Sequence, residues 1–153
     1  HRAGLARNIG VSNFTAALIN EAWSATEVPL INNQVEYHPY VNQRPVLKVV
    51  RERGMSLTAY MPNAKGKVFD DETLRAIGEP HGKTPGQVAL RWLYQQDGVI
   101  AIPRTGSEAH ADENIGILDF ALSADEVKQV DALARPDGRL LSPPGLAPVW
   151  DVA

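Results

Sequence analysis

Four short apolar runs, each followed by a stretch of helical periodicity, constrain this chain more than any other feature. The runs fall at residues 8–11, 30–37, 55–60 and 99–102. From Ile9 to Val35 is 26 residues and from Val35 to Leu57 is 22, long enough for a crossover helix and too long for a hairpin. Parallel strands require such crossovers of a dozen or more residues. Strands covered by helices on both faces read as continuous apolar runs rather than alternating ones. The pattern predicts an α/β fold with a parallel sheet. It suits a (β/α)8 TIM-type barrel, where about 250 residues house eight units. At 153 residues the chain has room for about four units, half of such a barrel.

The helical stretches carry their own punctuation. Residues 15–24 place Ala16, Leu18, Ile19, Ala22 and Trp23 at helical spacing, with Ser12 or Asn13 available as N-cap. A helix over about 44–53 has Pro45 in its first turn and Gly54 just past its end. Residues 63–69 mix Gly and Lys and read as a loop. Helical segments follow at 71–78 and 84–95, the second opened by Thr84 and Pro85 and carrying Val88, Ala89, Trp92 and Leu93 on one face. A helix at 107–115 and another from the capping box Ser123-Ala124-Asp125-Glu126 to about Ala134 complete a β/α region over 1–135. Residues 136–153 hold Pro136, Pro143, Pro144 and Pro148, and read as an ordered C-terminal tail, not a helix.

Composition removes several function classes. Fifteen Lys and Arg stand against 18 Asp and Glu, a net charge of −3 with both signs interspersed, so no basic stripe offers itself to nucleic acid. The absence of cysteine excludes a disulfide scaffold, a thiol nucleophile and a Cys-based zinc site. The four histidines (His1, His38, His81, His110) lack metal-ligand spacing, and no metal is expected. No apolar run approaches the 18–20 residues or so of a membrane-spanning helix, so a cytoplasmic location and no membrane partner are expected. The chain opens His1-Arg2-Ala3-Gly4 without an initiator Met, and the first strand-like run follows within a few residues. The expectation is a start inside a longer protein.

Familiar site motifs are missing: there is no GxGxxG, no P-loop and no GxSxG. The acids Asp70-Asp71-Glu72 and Asp125-Glu126 stand where helices begin, complementing the helix dipole. Position is the remaining guide, because a parallel α/β barrel gathers its function at the C-terminal ends of the strands. Those ends are Ser12-Asn13, Gln34 to Glu36, Tyr60 and Arg104-Thr105. Ser12, Asn13 and Gln34 both donate and accept hydrogen bonds, as a carboxamide requires. Tyr60 can stack on a planar ring. Arg104 beside a hydroxyl and a helix start suits an anion. The set fits a nucleotide with a flat, amide-bearing ring at one end and a phosphate at the other.

At these residues the sequence resembles the C-terminal half of an aldo-keto reductase. The matching motifs are Ile9-Gly10-Val11-Ser12-Asn13-Phe14, Asn33-Gln34-Val35-Glu36-Tyr37-His38-Pro39-Tyr40 and Ala59-Tyr60-Met61-Pro62, then Gly82 to Trp92, Ile102-Pro103-Arg104-Thr105 and Asp112-Glu113-Asn114. They run in family order over nearly the whole chain. The tail Pro143-Pro144-Gly145-Leu146-Ala147-Pro148 is similar to bacterial members of the 2,5-diketo-gluconate reductase type. The resemblance implies NADPH-dependent reduction of an aldehyde, ketone or keto-sugar acid. It implies that Ser12, Asn13 and Gln34 hold the nicotinamide carboxamide and that Tyr60 stacks on the ring. Arg104 and Thr105 would meet the 2′-phosphate, Glu113 and Asn114 the adenine, and Trp150 would wall the substrate mouth.

Three departures qualify that picture. Met61 and Asn63 stand where the family usually has Ser and Leu near the pyrophosphate, and His110 stands where NADPH-selective members carry Arg. A charge-assisted contact to phosphate is worth about 1.5–3 kcal/mol, so NADPH preference should be weakened and NADH becomes a second candidate cofactor. The family's catalytic Asp, Tyr, Lys and His belong to the first half of the barrel, so no catalytic position is assigned in this chain.

Two further readings compete with a reductase half. One is a catalytically incomplete half-barrel that binds nucleotide, or pairs with a missing N-terminal half or with itself. The other is a potassium-channel auxiliary subunit of the same fold, which the enzyme-like tail disfavours. An open arc of parallel strands leaves two edges and an interior face unpaired, and residues 8–11 carry no protecting Lys or inward charge. The isolated 153-residue chain is therefore expected to self-associate on size-exclusion chromatography; a monomer stable to dilution would contradict this.

Overall fold

Residues 1–151 are described by the computed structural model; Val152 and Ala153, the last two of the expected tail, lie outside the described residues. The four apolar runs form strands β1 (Ile9–Ser12), β2 (Leu30–Glu36), β3 (Ser56–Tyr60) and β4 (Val99–Ala101). Helix α1 (Ala16–Ala25) connects β1 to β2, and α2 (Arg44–Glu52) connects β2 to β3. Helices α3 (Glu72–Gly78) and α4 (Pro85–Tyr94) lie between β3 and β4, while α5 (Glu108–Ile115) and α6 (Ala124–Asp131) follow β4. The sheet is parallel throughout, in the order β1-β2-β3-β4. Sequential order with helical connections is that of a barrel wall; a doubly wound sheet reverses its order at a switch point.

Register brings the strand ends level. Ser12 lies beside Gln34, Glu36 beside Tyr60, and Ala59 beside Ala101. Asn33, Val35, Leu57 and Ala59 are fully buried, and the apolar three pack in one core with Ile19 of α1, Val50 of α2 and Val88 and Leu93 of α4. The opposite face corrects the expectation of strands apolar on both sides. There Asn32 donates from Nδ2 to Ser56 Oγ (2.8 Å) and to Thr58 Oγ1 (2.9 Å). A barrel interior packed in layers accepts polar side chains provided they satisfy one another.

Local chemistry explains most element boundaries. The expected cap of α1 at Ser12 or Asn13 is corrected: Asn13 takes a left-handed φ of 58°, so the helix begins later, where Thr15 Oγ1 accepts from the Leu18 amide (3.3 Å). Gly54 ends α2 in the left-handed region (φ 65°). The expected loop at 63–69 is instead 3₁₀ structure over Ala64–Asp70, broken by left-handed Lys65 and Gly66. Asp71 caps α3, and Thr84 and Ser123 open α4 and α6 with complete capping boxes.

The tail, residues 136–151, runs back over the strand ends without a regular helix or strand. Its entry depends on a bare backbone at Gly138, where an added Cβ would sit 1.7 Å from the Tyr40 carbonyl oxygen. Further on, the amides of Leu140 and Leu141 donate to the Glu36 carboxylate. Near the end, Asp151 Oδ2 accepts from the Ala16 amide (3.0 Å), capping α1 from 135 residues away.

Leu57 is wholly buried at the centre of the sheet. Leu57→Ala should cost about 2–5 kcal/mol of unfolding free energy, the range for truncating a core leucine, measured as a lower midpoint in urea with an unchanged slope.

Candidate functional site

Three strand ends converge on Asn13. Its left-handed backbone turns the chain sharply after β1, a conformation Asn tolerates better than most residues. The side chain of Asn33 holds that turn from both sides: Nδ2 donates to the Phe14 carbonyl (2.9 Å), and Oδ1 accepts from the Phe14 amide (3.4 Å). The Asn13 amide and Ser12 Oγ both donate to the Gln34 carbonyl, at 2.8 and 3.0 Å. From β3, the Tyr60 hydroxyl donates to Asn13 Oδ1 (2.9 Å). Burial, reinforced by the Glu36 carboxylate, raises the Tyr60 phenol above its usual range, which keeps it a donor. With its oxygen occupied, the Asn13 carboxamide presents its NH2 group, and Tyr60 has its ring held in place.

A second group lines a cavity of about 820 Å³, within the size range of small-molecule sites. Its walls are the segment from Met61 to Gly66, the start of α4, Arg104 and Thr105 after β4, and His110, Glu113 and Asn114 of α5. Helix α5 is fastened to α4 at one point: Thr84 Oγ1 donates to Glu113 Oε1 (2.8 Å), and Gln87 Nε2 to the Glu113 carbonyl (2.9 Å). Thr105 ties its own turn by bonds to the Ser107 backbone, while Arg104 is exposed beside it.

A third cluster lies at the end of β2. The Glu36 side chain is fully buried, and its carboxylate accepts from the amides of Leu140 and Leu141 and from His38 Nε2 (3.0 Å). The Tyr40 amide donates to His38 Nδ1 (3.3 Å), which assigns the imidazole proton to Nε2. Burial pulls the Glu36 pKa upward, but the bonds from His38 and the two amides outweigh it and hold it below the usual 4.5. Trp150 stays within the tail, donating to Ser142 Oγ (3.1 Å) with the Arg139 guanidinium 3.7 Å from its ring centre.

The predicted residues thus fall into two groups. Ser12, Asn13, Gln34 and Tyr60 meet at the ends of β1, β2 and β3, and Arg104, Thr105, His110, Glu113 and Asn114 line the cavity. Trp150 joins neither directly. Sequence reasoning missed the roles of Asn33, which looks like any polar strand residue, and of Lys65 and Arg139, which sit in segments without periodicity; it marked Asn63 only as a departure from the family pattern. The cavity has the makings of a nucleotide site on its own evidence. Asn63 Oδ1, on its wall, is buried and has no hydrogen-bond partner among the described residues, an acceptor open to a donor. Arg104 and Lys65 supply positive charge at the same wall. Among the described residues, no group of three or more His, Cys, Asp or Glu could hold a metal ion, and no helix is long and apolar enough to cross a membrane.

An arc of four parallel strands joined by helices, with polar side chains at their C-terminal ends, is part of a (β/α)8 barrel. The sequence pattern of the aldo/keto reductase family matches residues 1–135, and the chain belongs to that family. Methylglyoxal reductase DkgB of Escherichia coli O157:H7 is 38% identical over 151 residues, which span 98% of this chain and 56% of that protein. Glyoxal reductase of Bacillus subtilis is 36% identical over 137 residues, 90% of this chain and 49% of that one. The solved structure of a protein assigned as a 2,5-diketo-D-gluconic acid reductase B superposes with a TM-score of 0.96 at 51% identity, covering 99% of this chain and 54% of that one. A Gox0644 variant in complex with NADPH superposes at 0.87 with 33% identity, covering 96% and 54%. The chain spans about half the length of the curated relatives it matches, and corresponds to their C-terminal part.

A depressed carboxylate stabilises the fold above its unfolded-state pKa and loses that contribution as pH falls through the folded one. Glu36 should therefore hold the tail fully above about pH 4.5 and release it progressively below. Amide-exchange protection at Leu140 and Leu141 is expected to fall over that range. In Glu36→Gln, protection should be low and flat with pH.

Proposed function

We propose that the protein reduces an aldehyde, ketone or keto-sugar acid to the alcohol by hydride transfer from NADPH, with NADH as a second donor. In this reading residues 1–135 are β/α units of one aldo/keto reductase barrel, and residues 136–153 are its substrate-loop tail. The reading rests above all on the Tyr60–Asn13 hydrogen bond, which locks an aromatic ring and a carboxamide together at the strand ends. The bound nicotinamide would supply the hydride.

The chain's own residues then have distinct tasks. Ser12, Asn13 and Gln34 orient the carboxamide and so select the ring face exposed to substrate. Tyr60 supports the other face. Arg104 and Thr105 take the 2′-phosphate, with His110 a weaker neighbour than a guanidinium would be, and Glu113 and Asn114 face the adenine. Trp150 walls the substrate mouth. No residue of this chain is assigned to protonate the carbonyl oxygen: Tyr37, Tyr40 and Tyr60 already donate to Gln96, Asp71 and Asn13, and Tyr94 is exposed on α4. That donor would come from the rest of the barrel.

A second reading is a half-barrel that binds nucleotide without turnover, completed by an N-terminal half or a second copy. The exposure of Ile31, Ile100 and Ile102 (44–51%) along the sheet favours it, since such side chains belong in a packed interface.

Fluorescence titration tests the cofactor assignments directly. NADPH is expected to bind, with the ratio of NADH to NADPH dissociation constants below about a thousandfold, three steps of 1.4 kcal/mol. Arg104→Met should weaken NADPH by about ten- to a hundredfold, the worth of a charge-assisted contact, and leave NADH unchanged. Failure of either nucleotide to bind would overturn the proposal.

A further inference from the structure

Asn33 is a polar side chain on the apolar face of the sheet. It is fully buried, in register with Val11 of β1 and Leu57 of β3. Strand alternation puts it on the same face as Val35, which packs with Leu57 into the core under the helices. Taking a carboxamide out of water is costly unless its hydrogen bonds are replaced. Here one residue replaces them: Nδ2 donates to the Phe14 carbonyl (2.9 Å) and Oδ1 accepts from the Phe14 amide (3.4 Å). Asn33 thus pairs with the Phe14 backbone much as a strand residue would, just past the point where β1 leaves the sheet.

That pairing fixes the residue before it. Asn13 has a φ of 58°, a backbone region that side chains disfavour and that persists only where the surroundings impose it. Its amide donates to the Gln34 carbonyl (2.8 Å), which holds the turn on one side, and the Asn33 clamp on Phe14 holds it on the other. The side chain follows the backbone: Asn13 Oδ1 accepts from the Tyr60 hydroxyl (2.9 Å), so the NH2 group is the part left to donate to a ligand. A glycine would make the same turn without strain, but it would bring no donor to the strand ends. Removing the clamp releases Phe14, lets the turn relax toward negative φ and moves the donor away from the Tyr60 ring.

We propose that Asn33 is a positioning residue for the nicotinamide: through Phe14 it holds Asn13 in the turn from which the Asn13 NH2 group donates to the carboxamide oxygen of the ring. The proposal rests on the reductase reading above and deepens it, since it assigns the orientation of the ring to a side chain buried under the helices and out of contact with the cofactor.

Three nucleotides test it: NADP+, its thionicotinamide analogue, in which sulfur, a weaker acceptor, replaces the carboxamide oxygen, and adenosine 2′,5′-bisphosphate, which lacks the nicotinamide altogether. Each is titrated into the 153-residue chain by NMR. The wild-type chain is expected to bind NADP+ about threefold or more tightly than the thio analogue, the effect of one neutral hydrogen bond. In Asn33→Ala that preference should vanish while affinity for adenosine 2′,5′-bisphosphate stays within about twofold. Asn33→Thr keeps strand propensity and one hydrogen-bonding group for Phe14, so it should retain part of the preference, and it decides the matter should Asn33→Ala not fold. A preference kept in full by the variants, or absent from the wild-type chain, overturns the proposal and leaves the cofactor reading standing. Loss of bisphosphate affinity together with NADP+ affinity in both variants also overturns it, since Asn33 would then serve only the fold. Failure of the wild-type chain to bind NADP+ at all would remove the proposal and the reductase reading together.

Discussion

A single buried carboxylate joins the sheet to the tail. Glu36 ends β2 with no exposed surface, where an unpaired charge would be strongly destabilising. It is stable there because His38 and the Leu140 and Leu141 amides all donate to it. Its own backbone carbonyl accepts from the buried Gln43 side chain (2.8 Å), which ties the approach to α2 into the same network. The tail therefore has to pass over the strand ends, and everything it carries, Arg139 and Trp150 included, is delivered to that end of the molecule.

The two faces of the sheet divide the labour. The face toward the helices is apolar and close-packed, and it sets the register that levels Ser12 with Gln34 and Glu36 with Tyr60. The other face carries Asn32, Ser56 and Thr58, which satisfy one another, beside the exposed Ile100. Because the register is fixed by the buried face, the hydrogen bonds around Asn13 follow with little freedom. Asn33 links the two: its side chain faces the packed side and clamps the turn that presents Asn13.

Much of the fold was legible because parallel β/α units declare themselves twice, in apolar runs and in helix caps. Thr84-Pro85 could be read as a helix start and Ser123 to Glu126 as a capping box directly, since those bonds span only three residues. The start of α1 was misread because Asn13 is a good cap by type, and only its left-handed backbone rules it out. The segment from Ala64 to Asp70 was misread because two short 3₁₀ turns interrupted by Lys65 and Gly66 have no periodicity to detect. The strands were expected to be apolar on both faces, yet Asn32, Ser56 and Thr58 occupy one of them, where cross-strand hydrogen bonds absorb the polarity.

The sequence by itself determined the succession of parallel β/α units and the helix boundaries set by local caps. Those depend on spacing and on interactions a few residues long. Only the tertiary structure decided that Glu36 is the tail's anchor and that Asp151 caps a helix 135 residues earlier. Each of those is a polar group whose partner lies far along the chain, and nothing local in the sequence states whether such a partner will arrive.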